Sequence, residues 1–171
     1  MVNTRLADLL IQYKAIEFGD FTLASGAKSR YYIDVKTAVT NPDLLAAIAK
    51  TVAADEDFDM VAGVAVGGVP LAVAVGLAKK KPYAIIRSTE KGHGKKDMII
   101  GHVKGKKVHL IEDVTTSGGS ALYGIDALRA AGATADRVVT VVDREQGAAA
   151  MLAGHSVTLI PLVTVGQLLK E

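Results

Sequence analysis

The stretch Val108-His-Leu-Ile-Glu-Asp-Val-Thr-Thr-Ser-Gly-Gly-Ser120 decides the fold class of this chain. It begins as an apolar run of strand length and ends in two adjacent acids, Glu112 and Asp113. A loop of small hydroxyl and glycine residues follows, and a helical pattern opens at Ala121. A buried strand that passes through such a loop into a helix is the repeating unit of α/β proteins, so the stretch predicts that class.

The same loop has the composition of an anion-binding site. Backbone NH groups in a strand-to-helix loop point inward, and the positive end of the helix dipole favours a phosphate. Gly118 and Gly119 permit backbone conformations and a close approach that a side chain would block. The carboxylates of Glu112 and Asp113 suit sugar hydroxyls, from which they accept hydrogen bonds. Together these features favour a ribose 5-phosphate site, and the alternative is an ordinary strand-loop-helix turn.

The rest of the chain alternates between helical and strand patterns. Apolar residues at helical spacing predict helices, and short β-branched runs bounded by turn residues predict strands. We predict helices over residues 4–16, 41–53, 69–80, 121–131 and 146–152, and strands over residues 18–26, 28–35, 60–66, 83–87, 98–103, 108–113, 135–143 and 157–163, with a mobile loop over residues 88–96. This alternation predicts one doubly wound α/β domain over residues 1–171, with a mainly parallel central sheet flanked by helices. In such sheets ligands bind beyond the carboxyl ends of the strands.

The composition indicates a soluble globular protein. Half of the 171 residues are hydrophobic, and the absence of cysteine excludes a disulfide framework and a thiolate metal site. Residues 61–78 are uncharged and as long as a membrane span, but Gly67-Gly68-Val69-Pro70 interrupts them, so a strand, a turn and a helix are predicted instead. Because the N-terminus lacks the layout of a signal peptide, we expect a cytoplasmic protein without membrane contact.

The net charge of +2 hides an uneven distribution. Half of the twenty Lys and Arg residues lie between Lys79 and Lys107, beside only two acids, Glu90 and Asp97. A local cationic field of this kind attracts polyanions, although a solvated lysine-rich face gives the same pattern. Tyr83 is the only aromatic residue there that would stack on a base, so we expect no nucleic-acid partner.

Three further segments are predicted to meet the central loop at the same edge of the sheet, and the loop that begins at Arg87 is one of them. Gly63-Val-Ala-Val-Gly-Gly-Val-Pro70 ends a strand in a glycine turn, which offers a second anion-binding backbone or serves only as a tight turn. Arg144 follows a strand and suits a planar carboxylate. The alternative for Arg144 is a surface ion pair with Asp143.

The loop Arg87-Ser-Thr-Glu-Lys91-Gly-His93-Gly carries three potential cations. Such a loop closes over a pyrophosphate, stabilises departing negative charge and excludes water. Taken alone, His93 is better interpreted as an exposed loop histidine. The other three histidines, His102, His109 and His155, do not have metal-ligand spacing and are interpreted as structural.

Phe21-Thr-Leu-Ala-Ser-Gly-Ala-Lys28-Ser-Arg-Tyr-Tyr-Ile-Asp-Val-Lys36 resembles the N-terminal segment of orotate phosphoribosyltransferases. The Ile111–Ser120 loop resembles the signature of the wider type I phosphoribosyltransferase family, and the other segments follow in the family's order. The resemblance extends from about Leu6 to Leu168. It implies a type I phosphoribosyltransferase-like fold in which the N-terminal helix and hairpin, residues 1–37, form a small base-binding hood.

The resemblance also implies an activity. The chain would transfer the phosphoribosyl group of phosphoribosyl pyrophosphate to orotate, giving orotidine 5′-phosphate and pyrophosphate in UMP biosynthesis. The implied contacts to phosphoribosyl pyrophosphate are Arg87, Lys91, His93, Glu112, Asp113, Val114, Thr115, Thr116, Ser117, Gly118, Gly119 and Ser120. The implied contacts to orotate are Lys28, Tyr31, Tyr32, Thr116 and Arg144, of which the first three lie beside either the base or the pyrophosphate. The implied catalytic group is Lys91, Arg87, His93 and Asp113.

Three further expectations accompany this activity. Mg²⁺ is expected to bind mainly through substrate oxygens and water, so no protein metal ligands are predicted. A homodimer is implied, in which the loop with Arg87, Lys91 and His93 reaches into the partner's site. One departure from the family is Ser88, which stands where a lysine often follows the loop arginine.

Two other functions compete with this one. A purine or uracil phosphoribosyltransferase would share the central loop, but Lys28, Arg144 and the short chain favour orotate. A non-catalytic regulator that senses a phosphoribosyl ligand would need a nucleic-acid surface or an added helix-turn-helix. Only about twenty residues precede the matching N-terminal segment, too few for such a module.

Overall fold

The computed structural model of the chain describes residues 4–22, 26–54, 57–88 and 98–169. Its helices are α1 (Thr4–Gln12), α2 (Val35–Ala38), α3 (Pro42–Ala53), α4 (Gly68–Lys79), α5 (Gly119–Ala130), α6 (Ala148–Ala153) and α7 (Val165–Leu168). Its strands are β1 (Ile16–Thr22), β2 (Lys28–Ile33), β3 (Met60–Val64), β4 (Tyr83–Ile86), β5 (Ile99–Ile100), β6 (Lys107–Thr115), β7 (Thr134–Asp143) and β8 (Thr158–Thr164).

Within the described residues, six strands form the central sheet, in the order β5-β4-β3-β6-β7-β8. Every neighbouring pair is parallel except β4 and β5, which run antiparallel at one edge. The prediction of a mainly parallel sheet flanked by helices is therefore confirmed. No helix of the described residues is long and apolar enough to cross a membrane, and residues 61–78 divide into β3 and α4 as predicted.

The strand order reverses between β3 and β6. From β3 the chain continues to β4 on one side, and it later returns to place β6 on the other side, followed by β7 and β8. Gly63 of β3 pairs with Ile111 of β6, so the two strands end close to the same level. A reversal of this kind leaves a crevice beyond the carboxyl ends of the two central strands, where α/β proteins bind ligands.

The central strands are buried on both faces. Val61 and Ile111 belong to one apolar cluster, which also contains core residues of α1, α3, α4 and α7. Ala62 and Leu110 belong to a second cluster, completed by α5 and α6. This two-sided burial explains why β3 and most of β6 are continuous apolar runs in the sequence, because a parallel strand between two helical layers has no solvent face.

The strands β1 and β2 form a separate antiparallel hairpin. Ile16 pairs with Ile33 at its base, and Thr22 pairs with Lys28 near its tip. Ile16 is fully buried in the first apolar cluster, which fixes the base of the hairpin to the domain. The hairpin predicted from the sequence is confirmed, while its function as a hood stays a prediction.

Several element boundaries differ from those predicted. The first helix ends at Gln12 rather than at residue 16, because Lys14 adopts a left-handed conformation with φ of 56° and β1 begins two residues later. The strand predicted over residues 98–103 is reduced to Ile99–Ile100, since Gly101 turns the chain with φ of 125°. Of the loop predicted over residues 88–96, residues 89–96 lie outside the described residues.

Two short helices were not predicted. Val35 begins α2 instead of ending β2, because the Asp34 side chain accepts hydrogen bonds from the backbone NH (3.0 Å) and the hydroxyl (2.7 Å) of Thr37. At the other end of the chain, Thr164 and Gln167 form a reciprocal capping box that starts α7.

Candidate active site

The loop after β6 surrounds a small cavity of about 100 Å³ at the strand-order reversal. Gly118 is the N-cap of α5 and has φ of 88°, a conformation that other residues rarely adopt. No side chain of the described part of the chain caps the first turn of this helix, so its NH groups are left for a bound anion. Residues 112 and 114–121 line the cavity, which places the predicted phosphate-binding residues Val114, Thr115, Thr116, Ser117, Gly118, Gly119 and Ser120 together.

Glu112 is almost completely buried, with 4% of its surface exposed. The pKa of its carboxyl is raised to about 7, first by burial and then by the negative charge of Asp113. A hydrogen bond from the Ser120 hydroxyl to Glu112 Oε1 (3.1 Å) and the charge of Lys36 act in the opposite direction. Glu112 therefore exchanges a proton near neutral pH and ionises most readily when further donors reach it.

Asp113 lies directly against the second glycine loop. A Cβ atom added to Gly67 would lie 2.5 Å from Asp113 Cγ, and one added to Gly68 would lie 2.7 Å from the carbonyl oxygen of Ile111. Both distances are shorter than any real Cβ contact, so neither position accepts a side chain without a shift. The glycines of residues 63–70 therefore bring the ends of β3 and β6 into direct contact, beyond forming a tight turn.

Arg144 is presented at the end of β7 by a buried network. Its backbone NH donates to the carbonyl of Thr115 (3.0 Å), and its guanidinium lies 5.5 Å from the centre of the Tyr31 ring. Asp143 is buried and accepts hydrogen bonds from the Thr115 hydroxyl (3.0 Å) and the backbone NH of Glu145 (3.1 Å). The alternative of a surface ion pair between Asp143 and Arg144 is therefore wrong. Arg144 Nε is buried and finds no hydrogen-bond partner among the described residues.

The hairpin divides the residues predicted to contact orotate. Side chains alternate across a strand, so Tyr31 and Tyr32 point to opposite faces. Tyr31 packs against the core and Arg144, whereas Tyr32 is exposed and stacks near Phe21, with ring centres 5.8 Å apart. Lys28 shares the exposed face with Tyr32, and its ammonium donates to the Thr22 hydroxyl (2.6 Å). Within the described residues, Tyr31 and Arg144 meet beside the Thr115–Thr116 loop, and Lys28 and Tyr32 do not.

Arg87 stands at the base of the predicted pyrophosphate loop. Its backbone NH donates to the carbonyl of Met98 (2.9 Å), and its own carbonyl accepts from the Tyr123 hydroxyl of α5 (2.9 Å). Its Nε is buried and has no hydrogen-bond partner among the described residues. The other two loop cations, Lys91 and His93, lie outside the described residues, so their roles stay predictions.

One charged residue near the acids was missed by the sequence reasoning. Lys36 Nζ lies 3.7 Å from Asp113 Oδ2. Lys36 ends the N-terminal segment quoted above. The predicted strand continued through Val35, and a strand would point the Lys36 side chain in a different direction from helix α2. The available signal was the spacing of Asp34 and Thr37, which is typical of a capped helix start.

Known proteins share both the sequence and the fold. A family model described as the phosphoribosyl transferase domain matches residues 35–160. Over 169 residues, 99% of each chain, the sequence is 66% identical to the orotate phosphoribosyltransferase of Methanocorpusculum labreanum and 62% identical to that of Methanoculleus marisnigri. The crystal structure of orotate phosphoribosyltransferase from Aeropyrum pernix aligns with a TM-score of 0.86 and 32% identity, covering 96% of both chains.

Proposed function

The chain belongs to the phosphoribosyltransferase family, in its orotate phosphoribosyltransferase branch, and from this premise we propose that it transfers the phosphoribosyl group of phosphoribosyl pyrophosphate to orotate. The products are orotidine 5′-phosphate and pyrophosphate, which makes the chain a pentosyltransferase of pyrimidine biosynthesis. Its fold is that of the type I phosphoribosyltransferases. The observation that carries the proposal is the direct succession, at the strand-order reversal, of two buried acids and an uncapped glycine loop.

The phosphoribosyl half of the donor fits this succession. Glu112 and Asp113 accept hydrogen bonds from the ribose hydroxyls, which suits two buried carboxylates of which Glu112 lines the cavity. The backbone NH groups of residues 114–120 bind the 5-phosphate at the start of α5. Because these groups are fixed by the fold before the ligand arrives, little ordering is needed on binding.

The orotate half fits Arg144 and Tyr31. A guanidinium beside a flat ring offers a planar fork for the orotate carboxylate next to an aromatic surface for the pyrimidine. The buried Nε of Arg144, which has no partner among the described residues, is a donor available for this ligand. Thr116 lies in the adjacent loop and supplies a hydroxyl.

The reaction breaks the bond between C1 of the ribose and the pyrophosphate oxygen and forms a bond between C1 and a ring nitrogen of orotate. Positive charge develops on the ribose and negative charge on the leaving group. Arg87, together with Lys91 and His93, stabilises that negative charge. Orotate attacks as an anion, so the protein needs no strong base, and positioning with electrostatics supplies most of the acceleration.

Mg²⁺ is proposed to accompany the pyrophosphate and reduce its charge. Hard cations of this kind prefer oxygen ligands, which the substrate oxygens and water would supply, so no protein residue is assigned as a ligand.

We also propose a cytoplasmic homodimer in which the loop after Arg87 reaches the partner's site. The expectation follows from the family, and Arg87 lies where such a loop would begin. Light scattering should give a mass near twice the 17.8 kDa of one chain. A monomer that turns over orotate at full rate would contradict the shared site.

An ultraviolet assay of orotate consumption tests the activity directly. With phosphoribosyl pyrophosphate and Mg²⁺ present, absorbance should fall as orotidine 5′-phosphate forms. Uracil, adenine and hypoxanthine serve as competing acceptors. Turnover of one of these bases but not of orotate would assign a different acceptor within the family. Absence of any turnover, combined with a salt-sensitive gel shift of DNA, would favour the regulator instead.

A further inference from the structure

Lys36 is a cation beside Asp113 that has no role in the function proposed so far. Its Nζ atom lies 3.7 Å from Asp113 Oδ2, and its side chain is 60% exposed while that of Asp113 is 12% exposed. Its charge also acts on Glu112, where it favours the ionised form. One ammonium group therefore faces both acids that bind the ribose hydroxyls.

The backbone of Lys36 is held firmly. The preceding residue, Val35, is buried with 1% of its surface exposed, and Asp34 caps the helix through both carboxylate oxygens. The backbone NH of Asp34 donates to the carbonyl of Ala15 (2.9 Å), which ties α2 to the base of the hairpin. The fold thus fixes where the lysine begins and leaves its long side chain exposed.

The contact with Asp113 does not occupy the ammonium group. A distance of 3.7 Å exceeds the usual 2.7–3.2 Å of a charged hydrogen bond, and exposed ion pairs contribute little free energy. An ammonium group has three donors, so it can keep a charge near Asp113 and also bind a second anion. Lys36 is consequently available to a ligand that enters the pocket.

We propose that Lys36 contacts the diphosphate of phosphoribosyl pyrophosphate as a substrate-binding residue. This inference rests on the proposed function. The diphosphate is attached to C1, the carbon next to the one that carries the 2-hydroxyl. A cation beside the acids that bind the hydroxyls is therefore separated from the diphosphate oxygens by no more than the width of the ribose ring. It would also offset the repulsion between those oxygens and the two carboxylates.

A comparison of the affinities for two ligands distinguishes this role of Lys36 from a purely structural one. Phosphoribosyl pyrophosphate and ribose 5-phosphate share the phosphate and the ring hydroxyls, but only the first has the diphosphate. If Lys36 contacts the diphosphate, replacing the lysine lowers the affinity for phosphoribosyl pyrophosphate only. If Lys36 merely organises Asp113 and Glu112, the replacement lowers the affinity for both ligands to a similar extent.

The test is titration calorimetry, in Mg²⁺ buffer, on the full chain and three variants. Lys36→Met removes the charge and keeps most of the aliphatic stem, Lys36→Arg keeps the charge, and Lys50→Met removes an exposed lysine of α3 as a control. We expect Lys36→Met to raise the Kd for phosphoribosyl pyrophosphate about tenfold or more, as for loss of one charged hydrogen bond. The Kd for ribose 5-phosphate should rise less than about twofold. Lys36→Arg should stay within about threefold of the wild type, and Lys50→Met should be unchanged.

The inference would be overturned if Lys36→Met lost affinity for both ligands equally, or if its affinity for both were unchanged. A failure of the proposed function would look different. In that case the unmodified chain binds phosphoribosyl pyrophosphate without consuming orotate, and the Lys36 result still stands on its binding data. If the unmodified chain binds neither ligand, the function and the inference fall together.

Discussion

The end of β6 and the β1–β2 hairpin both carry predicted site residues, yet the fold supports them in different ways. The end of β6 lies between two strands and two helical layers, its two acids are buried, and Asp113 lies directly against Gly67. Among the described residues the hairpin strands pair only with each other, and every second side chain of β2 is exposed. The part of the site at the end of β6 is therefore fixed by core packing. The part on the hairpin has side chains whose positions depend on the residues that they contact.

The strongest test of this difference places the same substitution in both regions. Gly67→Ala puts a Cβ atom 2.5 Å from Asp113 Cγ, so the carboxylate or the loop must move. We expect kcat/KM for phosphoribosyl pyrophosphate to fall about 100-fold, roughly 3 kcal/mol of lost transition-state stabilisation. The measurement is steady-state kinetics with varied donor concentration.

Gly19→Ala is the matched control in the hairpin. Its Cβ atom would meet only the edge of the Phe21 ring at 3.4 Å, close to an ordinary contact, so activity should change less than about twofold. If Gly67→Ala were as active as Gly19→Ala, the end of β6 would be more adaptable than its packing indicates, and the comparison would fail.

A second test uses the acid buried at the end of β6. Burial raises the pKa of Glu112 to about 7, above its ordinary value, so between those values the folded chain keeps a proton that the unfolded chain has released. The stability from this proton is complete at low pH and is lost as pH rises through 7. Without ligand, the free energy of unfolding of the wild type should therefore fall by about 2 kcal/mol between pH 5 and pH 8 relative to Glu112→Gln.

Urea unfolding at several pH values gives this difference. Glu17→Gln in β1 is the control for the loss of a carboxylate on the exposed hairpin. Parallel curves for the wild type and Glu112→Gln would mean that Glu112 is as well solvated as a surface acid, which its burial does not allow.

The smallest expected effect compares the two faces of the hairpin. Tyr31→Leu removes the ring beside Arg144, and we expect the KM for orotate to rise about fivefold, near 1 kcal/mol for a lost cation–π and stacking contact. Tyr32→Leu should raise it less, because that ring stacks near Phe21 on the other face. A larger effect from Tyr32 would place orotate on the exposed face of the hairpin.

Much of the fold was predictable because its signals are local. The β6 strand, its loop and the start of α5 occupy consecutive residues, so one stretch specifies an anion site without knowledge of the rest of the chain. The strands β3 and β7 were also predictable from local sequence. They are apolar runs because both of their faces lie against helices. Short elements such as α2 were missed because their stability comes from a single cap and from packing, which periodicity does not report.

The candidate site was only partly predictable. The acids and the loop were identified together, but the contact between Arg144 and Tyr31 joins residues far apart in sequence, and no pattern in either segment indicates it. The same holds for Gly67 against Asp113 and for Lys36 near the same carboxylate. The split of Tyr31 and Tyr32 between two faces follows from strand alternation, but which face meets the pocket depends on how the hairpin packs.

By itself, the sequence determined the α/β class, the strand-loop-helix at residues 108–120 and the chemistry of the groups that it carries, because these depend on neighbours along the chain. Only the tertiary structure decided which distant side chains share the crevice beyond β3 and β6. The reason is the reversal of strand order, which brings the end of β3, the turn after β7 and helix α2 to one edge of the sheet. Contacts between those segments are set by packing in three dimensions and leave no periodic trace in the sequence.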